Sequence, residues 1–368
     1  MLRPVVKFVH QDEPSRLFLP LLRRRVDQYF KENHISKHWN AKLVIKTIVL
    51  LTAYILPFIL LLTLRPGWPV ELMLWAIMGV AMAGVGMSVM HDANHGAYSS
   101  NSKVNFWLGH TLILLGGSVL NWKLQHNVLH HTYTNIVHMD DDIGDKVILR
   151  FSPHTEVNWY HRMQAVYAFF FYALSTIYWA SAKDFIQFNR YRKEGVNKQN
   201  PKAARNSLIK LIFAKLFYYS IFLIIPLTVF HMPWLTYVSG FLLMHALAGL
   251  ILSVIFQLAH SVNETTHPLP NDEGLIENSW AIHQLNTTSD FCRNNKWLSW
   301  YIGGLNFQIE HHLFPSISHV HYPALSAIVK QTAEEHGIPY LEHKTFGQAL
   351  RSHISALQRF GIDKNPID

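Results

Sequence analysis

Four stretches of this chain are apolar for long enough to cross a bilayer. Residues 43–64 are apolar apart from Lys46, and residues 70–90 are apolar after Glu71. Each is about 21 residues long, enough to traverse the ~30 Å hydrocarbon core at 1.5 Å per residue. Only Arg65-Pro66-Gly67-Trp68-Pro69 separates them, a turn rich in helix breakers. Residues 211–230 and 235–259 repeat the arrangement across His231-Met232-Pro233-Trp234, with Lys215 near enough to one end to snorkel. Both pairs read as transmembrane hairpins. Neither is a cleavable leader, because the first lies behind about 42 polar, basic residues and has no small-residue cleavage site.

Two weaker apolar stretches, 104–120 and 163–182, are decided by charge. Arg3, Lys7, Arg16, Arg23, Arg24, Arg25, Lys31, Lys37 and Lys42 precede the first hairpin. Lys183, Arg190, Arg192, Lys193, Lys198, Lys202 and Arg205 precede the second, while the hairpin turns carry almost none. The positive-inside rule puts both basic segments in the cytoplasm. A lone crossing by 163–182 would strand one of them outside, so both weaker stretches are expected to be interfacial or re-entrant. The predicted fold is therefore an all-α integral membrane protein with four transmembrane helices in two hairpins, interfacial helices and a cytoplasmic helical cap. Its expected parts are an N-terminal cytoplasmic segment at 1–42, a main domain at 43–340 and a cytoplasmic tail at 341–368.

Composition removes several alternatives. Hydrophobic residues make up 49% of the 368 and charged residues only 15%, which excludes a disordered chain. Cys292 is the single cysteine, so a disulfide scaffold is impossible. The net charge of +8 is accounted for by membrane orientation and gives no support for a nucleic-acid partner. There is no glycine-rich phosphate loop and no G-x-S-x-G.

What remains is histidine, 24 of them. Eight fall in a pattern set by the predicted topology. His91 and His95 follow the second crossing, four apart and so on one helical face. His126 and His130 share a face, with His131 turned about 100° away, so that it could reach another metal. His311 and His312 lie one turn from Gln308, and His260 follows the last crossing. All emerge on the cytoplasmic side. Eight imidazoles exceed the three protein ligands of a catalytic zinc and suit two metals with open positions, for which nitrogen-rich ligation favours iron. His283 and His138 are reserve candidates. His245 lies mid-helix and His110 in an apolar stretch, and neither is assigned to metal.

The segments His91-Asp92-Ala93-Asn94-His95, His126-Asn127-Val128-Leu129-His130-His131 and Gln308-Ile309-Glu310-His311-His312 resemble the three histidine boxes of membrane fatty acid desaturases. Glutamine at the head of the third box is similar to the front-end acyl group, which acts between an existing double bond and the carboxyl end. Gly303-Gly304-Leu305-Asn306-Phe307 and Leu313-Phe314-Pro315 also look like that family, and the resemblance runs from about Leu43 to Tyr340. It implies two non-haem iron ions that use O2 and two electrons to desaturate a fatty acyl chain, held as CoA thioester or phospholipid. It implies iron ligation by His91, His95, His126, His130, His131, His260, His311 and His312. Gln308 would be a weak or water-mediated ligand, or a group behind the ligands. Many front-end members carry a fused cytochrome b5 domain with a His-Pro-Gly-Gly motif. That motif is absent here, so a separate donor of ferredoxin or cytochrome b5 type is expected, docking on the basic cytoplasmic face.

Metal-bound histidines need partners on their second nitrogen, and Asp92, Asn94 and Glu310 are the expected ones. Asp140, Asp141, Asp142 and Asp145 stay unassigned between a solvated loop and ligand orientation. Trp122, Trp280 and Phe307 are candidate walls for an acyl tunnel. Lys123, Arg190 and Arg192 are candidate contacts for a CoA phosphate or a lipid headgroup. Sphingolipid desaturation or acyl hydroxylation would use the same boxes. A zinc-dependent membrane hydrolase or a metal transporter remains from other classes; the transporter would need mid-membrane His or Asp in several helices, where only His245 qualifies.

Overall fold

The computed structural model describes residues 3–10, 13–143 and 148–363. Among these the protein is helical, with only two short parallel pairings: Lys7–Phe8 with Leu275–Ile276, and Asp290–Phe291 with Glu342–His343. Among the described residues five helices are long and apolar enough to cross a membrane: Ala41–Leu64, Trp68–Asn94, Trp159–Lys193, Pro201–Thr228 and Trp234–His260. Four coincide with the expected crossings. The fifth absorbs the weaker stretch 163–182 into one 35-residue helix. The other weaker stretch becomes a short helix, Ser102–Gly109, tightening into a 3-10 turn at His110–Leu115.

The chain divides into two compact units. One comprises Asn40–Leu124 and Phe169–Val254. Its helices begin where the sequence supplies caps. The Asn40 side chain accepts from the Leu43 N–H at 3.0 Å, and Asn200 caps a helix with Pro201 in its first turn. Arg65, in the left-handed conformation at φ 45°, closes the first long helix. Close helix contact depends on glycine: a Cβ on Gly240 would lie 2.0 Å from the Trp75 ring, and one on Gly79 would lie 2.7 Å from the Met244 carbonyl. Small residues give membrane helices their interface because lipid supplies no hydrophobic drive. Lys215 does not snorkel to an end. Its ammonium is buried on Asp184 at 2.6 Å and on the carbonyls of Gly116 and Trp179 at 2.5 and 2.8 Å.

The other unit comprises Leu2–Trp39, Gln125–Ala168 and Ile255–Asp368. Its core begins with Glu13–Glu32, where Phe18, Leu22, Val26 and Phe30 recur every fourth residue and form one apolar stripe. That stripe packs with Leu325, Val329 and Ala333 of Tyr322–Glu335 and with Ile309 and Leu313 of Gln308–Leu313. The first 42 residues, read from sequence as polar and basic, thus hold a structural helix behind the third histidine box. Residues 346–362, expected within a tail, form a helix started by a Thr345/Gln348 capping box, and its His353 ring meets the Ser261 carbonyl at 2.8 Å.

Breaking a buried ion pair from one side leaves an uncompensated charge. Lys215→Met should therefore destabilise the protein by about 3–5 kcal/mol. Thermal unfolding in detergent should show the loss, and the double variant Lys215→Met/Asp184→Leu should recover most of it.

Candidate metal centre

His91 and His95 close the Trp68–Asn94 helix, which loosens into a π-helical turn at Val85–Val89 just before them. Their rings are 4.8 Å apart between centroids, and the Trp122 indole packs edge-on to both at 5.6 and 5.5 Å. Trp122 is therefore packed on histidines, whatever acyl surface it also offers. Asp92 is buried, with its backbone carbonyl accepting from Ala97 and Tyr98. The Asn94 amide donates to the Gly109 carbonyl at 3.1 Å, stitching the box to the next helix.

In the second unit, the segment carrying the middle box departs from the α-helix assumed from its spacing. Lys123–His130 is π-helical, closing its hydrogen bonds one residue later, a distortion frequent at functional sites. His126 consequently faces both neighbours. It stacks on His130 at 5.5 Å, and its Nε2 lies 3.3 Å from that of His131. His131 is thus not turned away from His126, as the roughly 140° between positions five apart in an α-helix would have it. His126 also stacks on His311 at 5.7 Å, and His131 lies 4.6 and 4.5 Å from His311 and His312.

His130, His260 and His312 form one set in which a ring nitrogen from each lies within 4.8 Å of the others. All three are buried. Each has its Nδ1 against an oxygen acceptor: His130 on Asp140 at 3.0 Å, His312 on the Gln284 Oε1 at 2.7 Å, and His260 on the Thr287 carbonyl at 3.3 Å. An oxygen that only accepts requires the proton on Nδ1, leaving the Nε2 lone pair as the ligand. The Nε2 atoms of His130 and His260 are buried and make no hydrogen bond. Three neutral imidazoles presenting lone pairs inward fit a divalent transition ion. His126, His130 and Asp142 make a further trio of the same reach.

The Asp140 interaction was not assigned from sequence. Burial alone would raise its pKa, but the His130 imidazole and the backbone N–H groups of Asp142 and Asn135 outweigh that and hold it below the ordinary carboxylate value. Asn135 sits at φ 60°, a left-handed conformation asparagine tolerates better than most residues. Its N–H donates to Asp140 at 3.0 Å and its side chain donates to the His260 carbonyl at 2.9 Å, so one residue serves two histidines. Of the other acids, Asp141 pairs with Arg3 at 2.6 Å, Asp142 lies 3.5 Å from His130, and Asp145 falls outside the described residues.

Glu310 faces elsewhere. Its carboxyl meets the Tyr340 hydroxyl at 3.0 Å, and that hydroxyl donates to Asp290 at 2.6 Å. Burial pushes Asp290 up to about 6, and burial together with Asp290 raises Glu310 well above the carboxylate range. Gln308 is buried and approaches His260. Tyr322, also unforeseen, places its hydroxyl 3.2 Å from the His311 Nδ1. Trp280 donates to the His131 carbonyl at 3.0 Å, and Phe307 belongs to the apolar core. The reserve candidates diverge: His283 is buried beneath Phe8 with its ring 5.0 Å away, whereas His138 is exposed at φ 64°. His245 is engaged by Tyr218 at 2.8 Å and by Thr176 at 3.1 Å, and the His110 ring lies on the Phe106 carbonyl at 2.7 Å.

Because Asp140 fixes the His130 tautomer, Asp140→Asn should weaken metal binding about 10- to 100-fold. Metal content after equilibration with graded chelator measures this, and far-UV circular dichroism should stay unchanged.

Residues 66–344 match the family described as fatty acid desaturase. The sn-1 linoleoyl-lipid 6-desaturase of Arthrospira platensis is 37% identical over 93% of this chain and 92% of its own length. The sn-1 linoleoyl-lipid 6-desaturase of Synechocystis sp. is 34% identical over 94% and 96%. The acyl-lipid (8-3)-desaturase of Physcomitrium patens is 31% identical over 98% of this chain and 75% of its own. With most of its length matched at this level, the chain belongs to the fatty acid desaturase family of oxidoreductases.

Proposed function

We propose that this protein is an acyl-lipid front-end desaturase, carrying two irons and acting on a fatty acyl chain at the cytoplasmic membrane face. The observation that carries the reading is the His130, His260 and His312 trio, with each Nδ1 held by an oxygen and each ring turned inward. The remaining ligands are assigned as His91, His95, His126, His131 and His311 on the box pattern. Bound there, an iron pair would supply activation of O2 for removal of two hydrogens from the acyl chain, which with two donated electrons and two protons would reduce O2 to two waters.

The chain's own residues do the rest. Asp140, Gln284 and the Thr287 carbonyl fix the imidazole tautomers and raise the basicity of the inward nitrogens. The Tyr322 hydroxyl, 3.2 Å from the His311 Nδ1, orients that ring without dictating its tautomer. Gln308 beside His260 contributes a neutral amide, as a weak or water-mediated ligand or as a group behind the ligands. The front-end assignment rests on that glutamine and on the relatives, whose names specify lipid-bound acyl substrates; this favours a glycerolipid over a CoA thioester. Four crossings with both basic segments cytoplasmic satisfy the positive-inside rule, leaving Trp159–Lys193 as a fifth long helix lying at the interface. Electrons come from a separate carrier of ferredoxin or cytochrome b5 type.

Expression in a host fed defined fatty acids, followed by gas chromatography–mass spectrometry of each lipid class, tests the reading. A new double bond between an existing one and the carboxyl end should appear first in a glycerolipid. It should be absent from a His311→Ala variant, and purified protein should hold two irons per chain. A hydroxylated product, or one zinc and no iron, would overturn it.

A further inference from the structure

The third box sits on a helix too short to hold its own orientation. Gln308–Leu313 is six residues, little more than a turn and a half. Isolated helices of this length are unstable in water, so neighbours must fix its rotation. At 100° per residue, Gln308 and His312 lie close to one face and Glu310 lies on the opposite side. Glu310 is where the short helix is gripped from behind.

The grip comes from residues distant in sequence. The parallel pairing of Asp290–Phe291 with Glu342–His343 brings Tyr340 alongside Asp290. The Tyr340 hydroxyl donates to the Asp290 Oδ2 at 2.6 Å and sits 3.0 Å from the Glu310 Oε1. The other Asp290 oxygen accepts the Ile309 N–H at 3.0 Å, one of the donors a helix start leaves without an intrahelical partner. Arg293 orients the tyrosine from outside: its guanidinium lies 5.4 Å over the ring, and Nη1 reaches the hydroxyl at 3.4 Å. Arg293 is itself anchored on Glu342 at 2.7 Å. Two contacts on one short helix, at its first turn and at the back of its middle, fix both its axial position and its rotation.

We propose that Tyr340 and Asp290 are positioning residues for the metal centre, setting the rotation of the third histidine box through Glu310 and Ile309. The proposal rests on the reading of His311 and His312 as metal ligands. Loss of the clamp lets the helix turn about its axis, and the ligand nitrogens then sample angles at which the ion is held less well. Neither residue touches the metal ligands directly.

The test uses purified full-length protein loaded with iron, challenged with a chelator, with iron release followed over time. Tyr340→Phe should release iron about tenfold faster than the parent, in line with the effect of removing outer-shell partners. The metal-free variant should melt within a few degrees of the metal-free parent. Asp290→Asn, which keeps the side-chain shape, should behave alike should the phenylalanine variant fold poorly. Lys330→Met, which removes the Lys330–Glu342 pair and the ammonium 5.8 Å over the Tyr340 ring but leaves both bonds of the Tyr340 hydroxyl in place, should release iron at the parental rate. Cobalt(II) bound in place of iron should show shifted visible bands in Tyr340→Phe and parental bands in Lys330→Met. Parental release and unshifted bands in both clamp variants would overturn the clamp while leaving the metal reading intact. A parent that binds neither iron nor cobalt would overturn both.

Discussion

The centre depends on a proton held in the right place on each imidazole. A buried histidine can offer either nitrogen, and only a fixed tautomer makes it a reliable ligand. In the His130, His260 and His312 trio the choice is made by oxygens behind the rings, each of a different kind: a carboxylate, a carboxamide and a backbone carbonyl. The carboxylate adds charge as well as direction at His130.

Much of the second unit can be understood as support for those oxygens. Asp140 needs backbone donors, and the left-handed Asn135 gives it one while capping the helix that ends at His260. Gln284 lies on the short helix Trp280–Thr287, and the same helix ends in the Thr287 carbonyl that receives His260. Thr134, one residue before Asn135, places its hydroxyl 2.9 Å from the Gln284 oxygen that His312 uses. Two chain segments therefore meet at the backs of three histidines, and neither can shift without moving the others.

The apolar runs and the three boxes were legible in sequence because each obeys a local rule, a length or a spacing. The supporting residues were not, because their partners are far away: Asp140 looks like one acid in a polar run, and nothing local distinguishes it from Asp141, which pairs with Arg3 instead. The middle box was misjudged geometrically because a π-helical stretch cannot be read from spacing; the i, i+4 rule hid the approach of His126 to His131. The amphipathic stripe Phe18, Leu22, Val26 and Phe30 could have been found by its four-residue period, but the many arginines between drew the reading toward charge. Glu310 was expected to partner a histidine ring, but its carboxyl meets the Tyr340 hydroxyl instead.

Charge placement explains why imidazole dominates the inner layer. A carboxylate buried without compensation carries a large desolvation cost, whereas a neutral imidazole carries a small one. The described carboxylates near the boxes in the second unit sit where something answers them: Asp140 on His130 and two backbone N–H groups, Asp141 on Arg3, and Asp290 on Tyr340 and the Ile309 N–H. Glutamine at position 308 follows the same logic, filling a buried site beside His260 without bringing in a charge. A pocket built this way draws most of its donors from imidazole, with Asp140 behind His130 directing that ring and Asp142 alone among the described acids within reach of the donor set.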